Sequence, residues 1–336
     1  MRHMRVAVLV TLLLASGIGV WAQDPESVAT GTVTVKQATV LRSGPANGAP
    51  TLQPLPQGIT LRWIEGQKRG TFYRVVVPRG PQGWVPEGAV DVASPPPSPP
   101  MVVLAAKPPC APSLATCPVT GCATPGTPHA LFNERKRGTP SGGEPITLTF
   151  SDFGTLQDQA NELVGQGEDL SAADLARLTS LTVSAGTVEE GRLVQITGFI
   201  AKGKPPHASS GESINCRRLG SQNNDFHIAL AESASDTEFD GIVVEMIPQD
   251  RPAQWTISKL TAVRAAKRRV LAIGALFYDN LHFVNSDPAN PLGGQPHRFS
   301  LWEVHPLTKF LVCKKTSNTC DSSLPSDWMP LETFQP

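Results

Sequence analysis

Three short stretches, Val40-Leu-Arg-Ser-Gly-Pro45, Leu55-Pro-Gln-Gly58 and Gly83-Trp-Val85, decide the fold of the first part of the chain. They lie among short runs in which apolar and polar residues alternate, and turn residues such as Gly80-Pro81 separate these runs. Short alternating strands divided by Gly and Pro are typical of a small all-β barrel. The sequence therefore predicts a compact β unit over residues 31–92.

The same residues resemble a bacterial SH3 domain, and the resemblance covers residues 31–92. The Leu-Arg-Ser-Gly-Pro turn and the Gly-Trp-Val segment near the end of the barrel carry most of it. Trp84 is predicted to be a core residue of this barrel. The resemblance implies an SH3-like module that attaches to cell-wall peptide or glycan, but the ligand residues vary within the family. The ligand-binding residues therefore stay unknown.

The N-terminus has the layout of an export signal. Arg2 and Arg5 precede an apolar run from Val6 to Val20, and Ala22 offers a cleavage site before Gln23. A charged start, a short apolar core and a small-residue exit predict a signal peptide over residues 1–22, which implies a periplasmic or extracellular location. Its removal takes two basic residues and leaves 27 basic against 29 acidic side chains. A near-neutral mature chain is not expected to bind nucleic acid. No stable membrane span is expected after cleavage, because no other segment is apolar enough to cross a membrane.

The region behind the first unit has a different composition. Residues 93–128 are rich in Pro, Ala and Ser, and they predict an extended linker. Residues 129–180 form a polar lead-in with two predicted short helices, because Thr155 to Asp158 and Ser171 to Asp174 both fit a capping box. The basic run 135–137 in this lead-in is interpreted as solvated charge.

Residues 181–316 carry the pattern of a second barrel. Strands are predicted over 181–184 with 193–201, then 226–231 and 242–247, followed by a helix over 254–267 and strands over 269–278 and 298–313. Three strands, a helix and two strands match the architecture of an OB-fold, a five-stranded, partly open barrel. Gly198 and Gly274 fall inside strands, where barrels bend. Residues 317–336 are left as a C-terminal tail, and the fold class is mainly β throughout.

Four residues at the ends of these strands form a candidate metal site. Asp225 and His227 share one face of an alternating strand, and so do Glu303 and His305. Histidine and carboxylate ligands suit zinc or manganese, which could activate a water for hydrolysis. The competing interpretation is that these residues are buried hydrogen-bonded pairs without metal. The sequence favours that interpretation, and no cofactor and no catalytic residue is predicted.

Six cysteines are compatible with disulfides in an exported chain, and they allow 15 pairings. Cys313 and Cys320 are the best candidate pair because a short polar loop separates them. Zinc binding by Cys110, Cys117 and Cys122 is an alternative that lacks the usual ligand spacing.

The predicted function is that of an exported, non-enzymatic binding protein. The SH3-like barrel would attach to envelope material, either peptidoglycan or an envelope protein, and the OB-like barrel would hold a second ligand. The alternative is a metal-dependent nuclease or envelope hydrolase that uses Asp225, His227, Glu303 and His305. Metal analysis separates the two.

Overall fold

The computed structural model of the chain describes residues 30–93, 108–167, 169–208 and 211–335, except for the side chains of Thr30 and Glu65. The predicted signal peptide and residues 94–107 of the predicted linker lie outside these residues. Among the described residues, no helix is long and apolar enough to cross a membrane.

Seven strands form an antiparallel N-terminal sheet in the order β3-β2-β6-β5-β4-β1-β7. They are β1 (Thr30–Val35), β2 (Thr39–Arg42), β3 (Thr51–Leu55), β4 (Thr60–Arg69), β5 (Phe72–Val76), β6 (Gln82–Pro86) and β7 (Val90–Val92), with a 3-10 turn at Glu87–Ala89. Strands from both ends of the sheet, among them Leu55 on β3 and Val90 on β7, contribute to one apolar core. The sheet therefore folds around itself. The burial of Trp84 is confirmed, but this side chain is not part of that core: it lies beside Arg74 of β5, whose guanidinium is 5.6 Å from its ring.

The rest of the described chain forms a second β unit with four α-helices around it. Its elements are α1 (Pro128–Lys136), β8 (Ser141–Thr147), α2 (Phe150–Leu163), α3 (Ala172–Leu175), β9 (Leu181–Val183), β10 (Gly186–Val188), β11 (Arg192–Ile200), β12 (His207–Ala208), β13 (Phe226–Ala231), β14 (Ile242–Met246), α4 (Ile257–Ala265), β15 (Arg269–Tyr278), β16 (Trp302–Cys313) and β17 (Trp328–Pro330). Short 3-10 turns lie at Leu114–Thr116, Ser221–Asn223, Glu238–Asp240, Pro325–Asp327 and Leu331–Thr333.

Five of these strands close into a barrel. The sheet runs β13-β14-β16-β15-β11, and β11 pairs back with β13 at Phe199↔Ala231 and Ile200↔Leu230. The barrel elements follow one another along the chain as β11, β13, β14, α4, β15 and β16. Three strands, a helix and two strands is the predicted OB-like architecture, and β14 and β16 pair in parallel. Alternate residues of β11 are buried inside the barrel, as its period of two requires. The mainly β fold class with a barrel is confirmed.

Glycine allows the closest approach between two barrel strands. A Cβ built on Gly274 would lie 2.2 Å from the backbone oxygen of Pro306, and the register of β15 against β16 shifts at this point. Any side chain here would push the strands apart. The predicted bend at Gly274 is therefore explained by backbone contact.

Two helices begin at residues other than those predicted, because capping hydrogen bonds set their first turns. Helix α4 begins at Ile257 instead of near Gln254, because the Thr256 hydroxyl accepts the amide hydrogen bond of Lys259. Helix α2 begins at Phe150 with a reciprocal capping box between Thr149 and Asp152, so the predicted start at Thr155 is wrong. The capping box of Ser171 with Asp174 is confirmed at α3.

Two predicted domain boundaries also require correction, because disulfides hold the segments on the barrel. The predicted linker 93–128 is folded from residue 108 onward, where Cys110–Cys122 closes a loop within the segment and Cys117–Cys216 fixes it to the loop before β13. The predicted tail is also packed, since β17 pairs with β16 and Leu331 is fully buried. The predicted strand 181–184 belongs instead to a separate two-stranded hairpin, β9 with β10.

The N-terminal sheet packs against the loop that joins β15 to β16, residues 279–301. Ile64 and Val76 form a buried apolar cluster with Phe283 and Leu292 of that loop. Burial of such side chains removes apolar area from water and stabilises the contact. The two β units are therefore in direct contact through the 279–301 loop.

Hydrogen bonds to backbone carbonyls fix the same contact. Arg74 Nη1 donates to the carbonyl of Asn290 at 2.6 Å, and Gln82 Nε2 donates to that of Val284 at 3.1 Å. Each bond holds the backbone of the 279–301 loop rather than a mobile side chain. The N-terminal sheet thus determines where one wall of the cavity described below lies.

Candidate functional site

A cavity of about 420 Å³ opens on one face of the OB-like barrel. Its floor is formed by β13 and β14, and its sides are the 201–225 loop between β11 and β13, the 279–301 loop, and helix α1. The second and third strands with these two loops are the surface on which OB-folds bind oligonucleotides and oligosaccharides. The cavity therefore occupies the ligand-binding face expected of the architecture.

Of the six histidines within the described residues, five line this cavity and the sixth lies beneath it. His129, His207, His227, His282 and His297 line it, and His305 lies buried beneath it against Glu245 and Glu303, two lining residues. They come from α1, from the two loops and from strands β13 and β16, so the chain fold alone brings them together. A cavity with convergent titratable groups is the default candidate for a binding or active site.

In four of these histidines the ring Nδ1 faces a carboxylate. His227 Nδ1 lies 2.9 Å from Glu245, His282 Nδ1 lies 2.6 Å from Asp279, and His297 Nδ1 lies 2.9 Å from Glu238. The fourth pair is His305, whose Nδ1 lies 3.0 Å from Glu245. A carboxylate on one ring nitrogen fixes the orientation of the imidazole and raises the basicity of the other nitrogen. The arrangement suits proton transfer or metal binding at Nε2.

A buried charge cluster lies beneath the cavity, with Glu245 at its centre. The Glu245 carboxylate is 2.9 Å from His227 Nδ1, 3.0 Å from His305 Nδ1 and 3.4 Å from Lys136 Nζ. Burial alone would raise the pKa of Glu245, but His227, Lys136 and His305 together hold it well below its usual value. Glu245 is therefore an ionised carboxylate in the protein interior.

The same cluster shifts the pKa values of its other members. Burial would lower the pKa of Lys136, yet Glu245, Glu212 and further carboxylates raise it well above the usual lysine value. Burial would also lower the pKa of His305, and Glu245 raises it to about 9. Asp225 moves the other way, because burial and the neighbouring Glu212 raise its pKa to about 6. Strongly perturbed groups of this kind concentrate at functional sites.

Arg298 connects two of the histidine–carboxylate pairs from behind. Its guanidinium is fully buried and donates through Nη2 to Asp279 at 2.5 Å and through Nη1 to Glu303. Asp279 in turn faces His282, and Glu303 faces His305 at 3.3 Å. One buried cation therefore fixes two carboxylates, each of which orients an imidazole.

The four residues predicted as a metal site do come together, but in different roles. His305 Nε2 lies 3.7 Å from Asp225 Oδ2, whereas Glu303 faces the opposite ring nitrogen, Nδ1. His227 points to Glu245 and, through Nε2 at 3.5 Å, to Glu212. Asp225, Glu245 and His305 form a group in which one potential ligand atom from each lies within 4.8 Å of the others. The compact set therefore replaces His227 and Glu303 by Glu245.

Sequence reasoning missed Lys136 and Glu212, which complete the cluster. Lys136 belongs to the run 135–137, and its interpretation as solvated charge is wrong, because its side chain is buried and Arg135 bonds to Glu190. The one sequence signal is that α1 places Lys136 four residues after Phe132, on the same face of the helix. The signal for Glu212 is weaker, since it lies in an irregular loop near Cys216.

The cysteines are all used in disulfides. Cys313 pairs with Cys320, the predicted candidate pair, and the other two bonds are Cys110–Cys122 and Cys117–Cys216. No cysteine is free, so the alternative of zinc bound by Cys110, Cys117 and Cys122 is not formed. Three disulfides fit an oxidising compartment.

Comparisons of the chain with protein-family models, with curated proteins and with solved structures find no match. The site is therefore interpreted from its own geometry.

Proposed function

We propose that this chain is an exported hydrolase whose OB-like barrel takes a short segment of a cell-envelope glycan or peptide into the histidine-lined cavity. Support for export comes from the signal-like N-terminus and the three disulfides. Near-neutral charge argues against nucleic acid as the ligand, because phosphate-backbone binding needs a cationic surface. The resemblance of residues 31–92 to bacterial SH3 domains supports an envelope location.

The observation that carries the proposal is a pair of consecutive ion pairs, Arg298–Asp279 and Asp279–His282, which share one carboxylate oxygen. Asp279 Oδ2 lies 2.5 Å from Arg298 Nη2 and 2.6 Å from His282 Nδ1. Burial alone would raise the pKa of Asp279, but His282 and Arg298 lower it, so the carboxylate stays ionised next to the imidazole. An ionised carboxylate on Nδ1 stabilises the imidazolium that forms when Nε2 takes a proton from water or substrate. His282 lines the cavity and is the proposed general base.

The experiment is hydrolysis of purified envelope polymers by the wild type and by His282→Gln. Loss of a general base lowers the rate by about 10²–10⁴-fold. His207→Gln is the matched control, because this cavity histidine faces the backbone carbonyl of Pro205 through Nδ1 instead of a carboxylate. We expect the control to keep at least a third of the wild-type rate. Unchanged hydrolysis in His282→Gln would refute the assignment.

A second candidate function is binding without turnover, which is the function favoured by the sequence. The observation that supports it is the shortage of nucleophiles, since every cysteine is in a disulfide and the Ser213 hydroxyl at the cavity accepts a hydrogen bond from Asn133. In that case envelope fragments raise the melting temperature in a saturable manner and no product forms. His282→Gln would then change affinity alone.

A further inference from the structure

We propose that the buried group Asp225, Glu245 and His305 binds one divalent cation of the zinc or manganese type beneath the floor of the cavity. The inference is independent of the hydrolase proposal, because the ion would be held below the cavity whichever ligand enters above it. Histidine nitrogen combined with carboxylate oxygen is the donor set that zinc and manganese accept.

The first argument is the excess of buried negative charge. This group and its neighbours hold five carboxylates, namely Glu212, Asp225, Glu245, Asp279 and Glu303, and the permanent cations within 4 Å of them in the described residues are Lys136 and Arg298. The carboxylates exceed these cations by three. Charges in a protein interior are paired or coordinate metals, because an uncompensated buried charge is very costly. A divalent cation supplies most of the missing positive charge.

The second argument is that two of the three ligand atoms have no hydrogen-bond partner. Asp225 Oδ2 and His305 Nε2 are buried and make no hydrogen bond. The third ligand atom, Glu245 Oε2, lies 3.0 Å from His305 Nδ1 and 3.4 Å from Lys136 Nζ, and it would have to exchange these partners for the ion. The distance of 3.7 Å between Asp225 Oδ2 and His305 Nε2 is too long for a hydrogen bond. Two ligands of one zinc ion at about 2.1 Å are about 3.4 Å apart at a tetrahedral angle, so a small adjustment brings both into range.

The third argument is that the partners behind these ligands are in place. Glu303 lies 3.3 Å from His305 Nδ1 and holds the ring from the side opposite Nε2. Asn215 donates to Asp225 Oδ1 at 3.0 Å, which leaves Oδ2 for a second partner. Metal-binding histidines and carboxylates are generally fixed in this way by outer hydrogen bonds. Glu303 is thus a positioning residue and not a ligand.

The competing account is that protons supply the charge, with His227 and His305 both present as imidazolium. The two accounts differ in the metal content that they predict, because the protonated cluster needs no metal. The test is elemental analysis of the tag-free full chain after dialysis against Zn²⁺ or Mn²⁺ and then against metal-free buffer. We expect about one equivalent per chain in the wild type.

Substitutions test which residues hold the ion. Asp225→Asn and His305→Gln should each lower metal occupancy at least tenfold, and Glu303→Gln should weaken metal affinity about 10–100-fold. His297→Gln is the matched control, because it removes another carboxylate-bound imidazole of the same cavity and should keep the full equivalent. Chelation of the wild type should lower its melting temperature and leave the already metal-poor Asp225→Asn unchanged.

Two results would overturn the inference. One is less than a tenth of an equivalent of either metal in folded wild type. The other is full occupancy in Asp225→Asn. Both readouts are independent of hydrolysis, so failure of the metal site and failure of the hydrolase proposal are distinguishable.

Discussion

Replacing Arg298 by methionine tests whether the buried ionic network beneath the cavity holds the barrel together. The guanidinium is fully buried and faces both Asp279 and Glu303. Methionine keeps the apolar stem and removes the charge. Removal of one partner from a buried ion pair leaves an uncompensated charge and costs about 3–5 kcal/mol. A loss of this size is a large part of the total stability of about 5–15 kcal/mol that is typical of folded proteins.

The assay is equilibrium unfolding in urea with the disulfides intact. For a urea m-value of about 3 kcal/mol/M, a loss of 3–5 kcal/mol moves the midpoint down by about 1–1.7 M. Arg69→Met is the matched control, because this arginine is exposed, and it should stay within about 0.5 kcal/mol of the wild type.

A double-mutant cycle separates charge loss from packing loss. Glu303→Gln removes one of the two carboxylates that Arg298→Met leaves without their cation. We expect the double variant to be more stable than the sum of the single effects predicts, by about 0.5–3 kcal/mol. An Arg298→Met protein within 1 kcal/mol of the wild type, or strictly additive effects in the cycle, would refute the reasoning.

Three further changes probe the other parts of the structure. Burial first, and then the charge of His227, lower the pKa of His207 to about 4, so stability that is present above pH 6.5 is lost as the pH falls towards 4. In melts at pH 7.5 and 4.5, His207→Gln should lose about 1–2 kcal/mol less stability between the two pH values than the wild type does. Equal losses in the variant and the wild type would contradict this. Alanine replacement of both cysteines of Cys117–Cys216, with a sequence separation of 99, should lower the free energy of unfolding by about 5 kcal/mol. The same replacement at Cys313–Cys320, with a separation of 7, should lower it by about 2 kcal/mol, and the reverse order in urea unfolding would be inconsistent with loop entropy. Arg74→Met should speed hydrogen exchange in the 279–301 loop, while unchanged exchange there would show that the N-terminal sheet does not fix this wall.

Much of the barrel could be predicted from the sequence because strand periodicity is a local signal. Buried and exposed residues alternate along β11, and the prediction of strands at 226–231 and 269–278 agrees with β13 and β15 residue for residue. Register and closure depend on contacts far apart in sequence, such as Phe199 with Ala231. The order of the strands followed only from the match to a known architecture.

The candidate site was less predictable because its members interact across the fold. Asp225, His227, Glu303 and His305 could be paired within each strand, where the period of two places them on one face. Glu245 is the residue that joins the two pairs, and its central position depends on the pairing of β14 with β13 at His227↔Glu245. No periodicity within β14 distinguishes Glu245 from a surface carboxylate.

The position of the N-terminal sheet changes the interpretation of the whole chain. A tethered module that only attaches to the envelope would not need to bond the backbone of another domain. Here Arg74 and Gln82 donate to carbonyls of the 279–301 loop, which carries His282 and His297 into the cavity. The loop is long, and its ordering entropy must be offset by such contacts. The N-terminal sheet and one wall of the cavity are therefore linked through this loop.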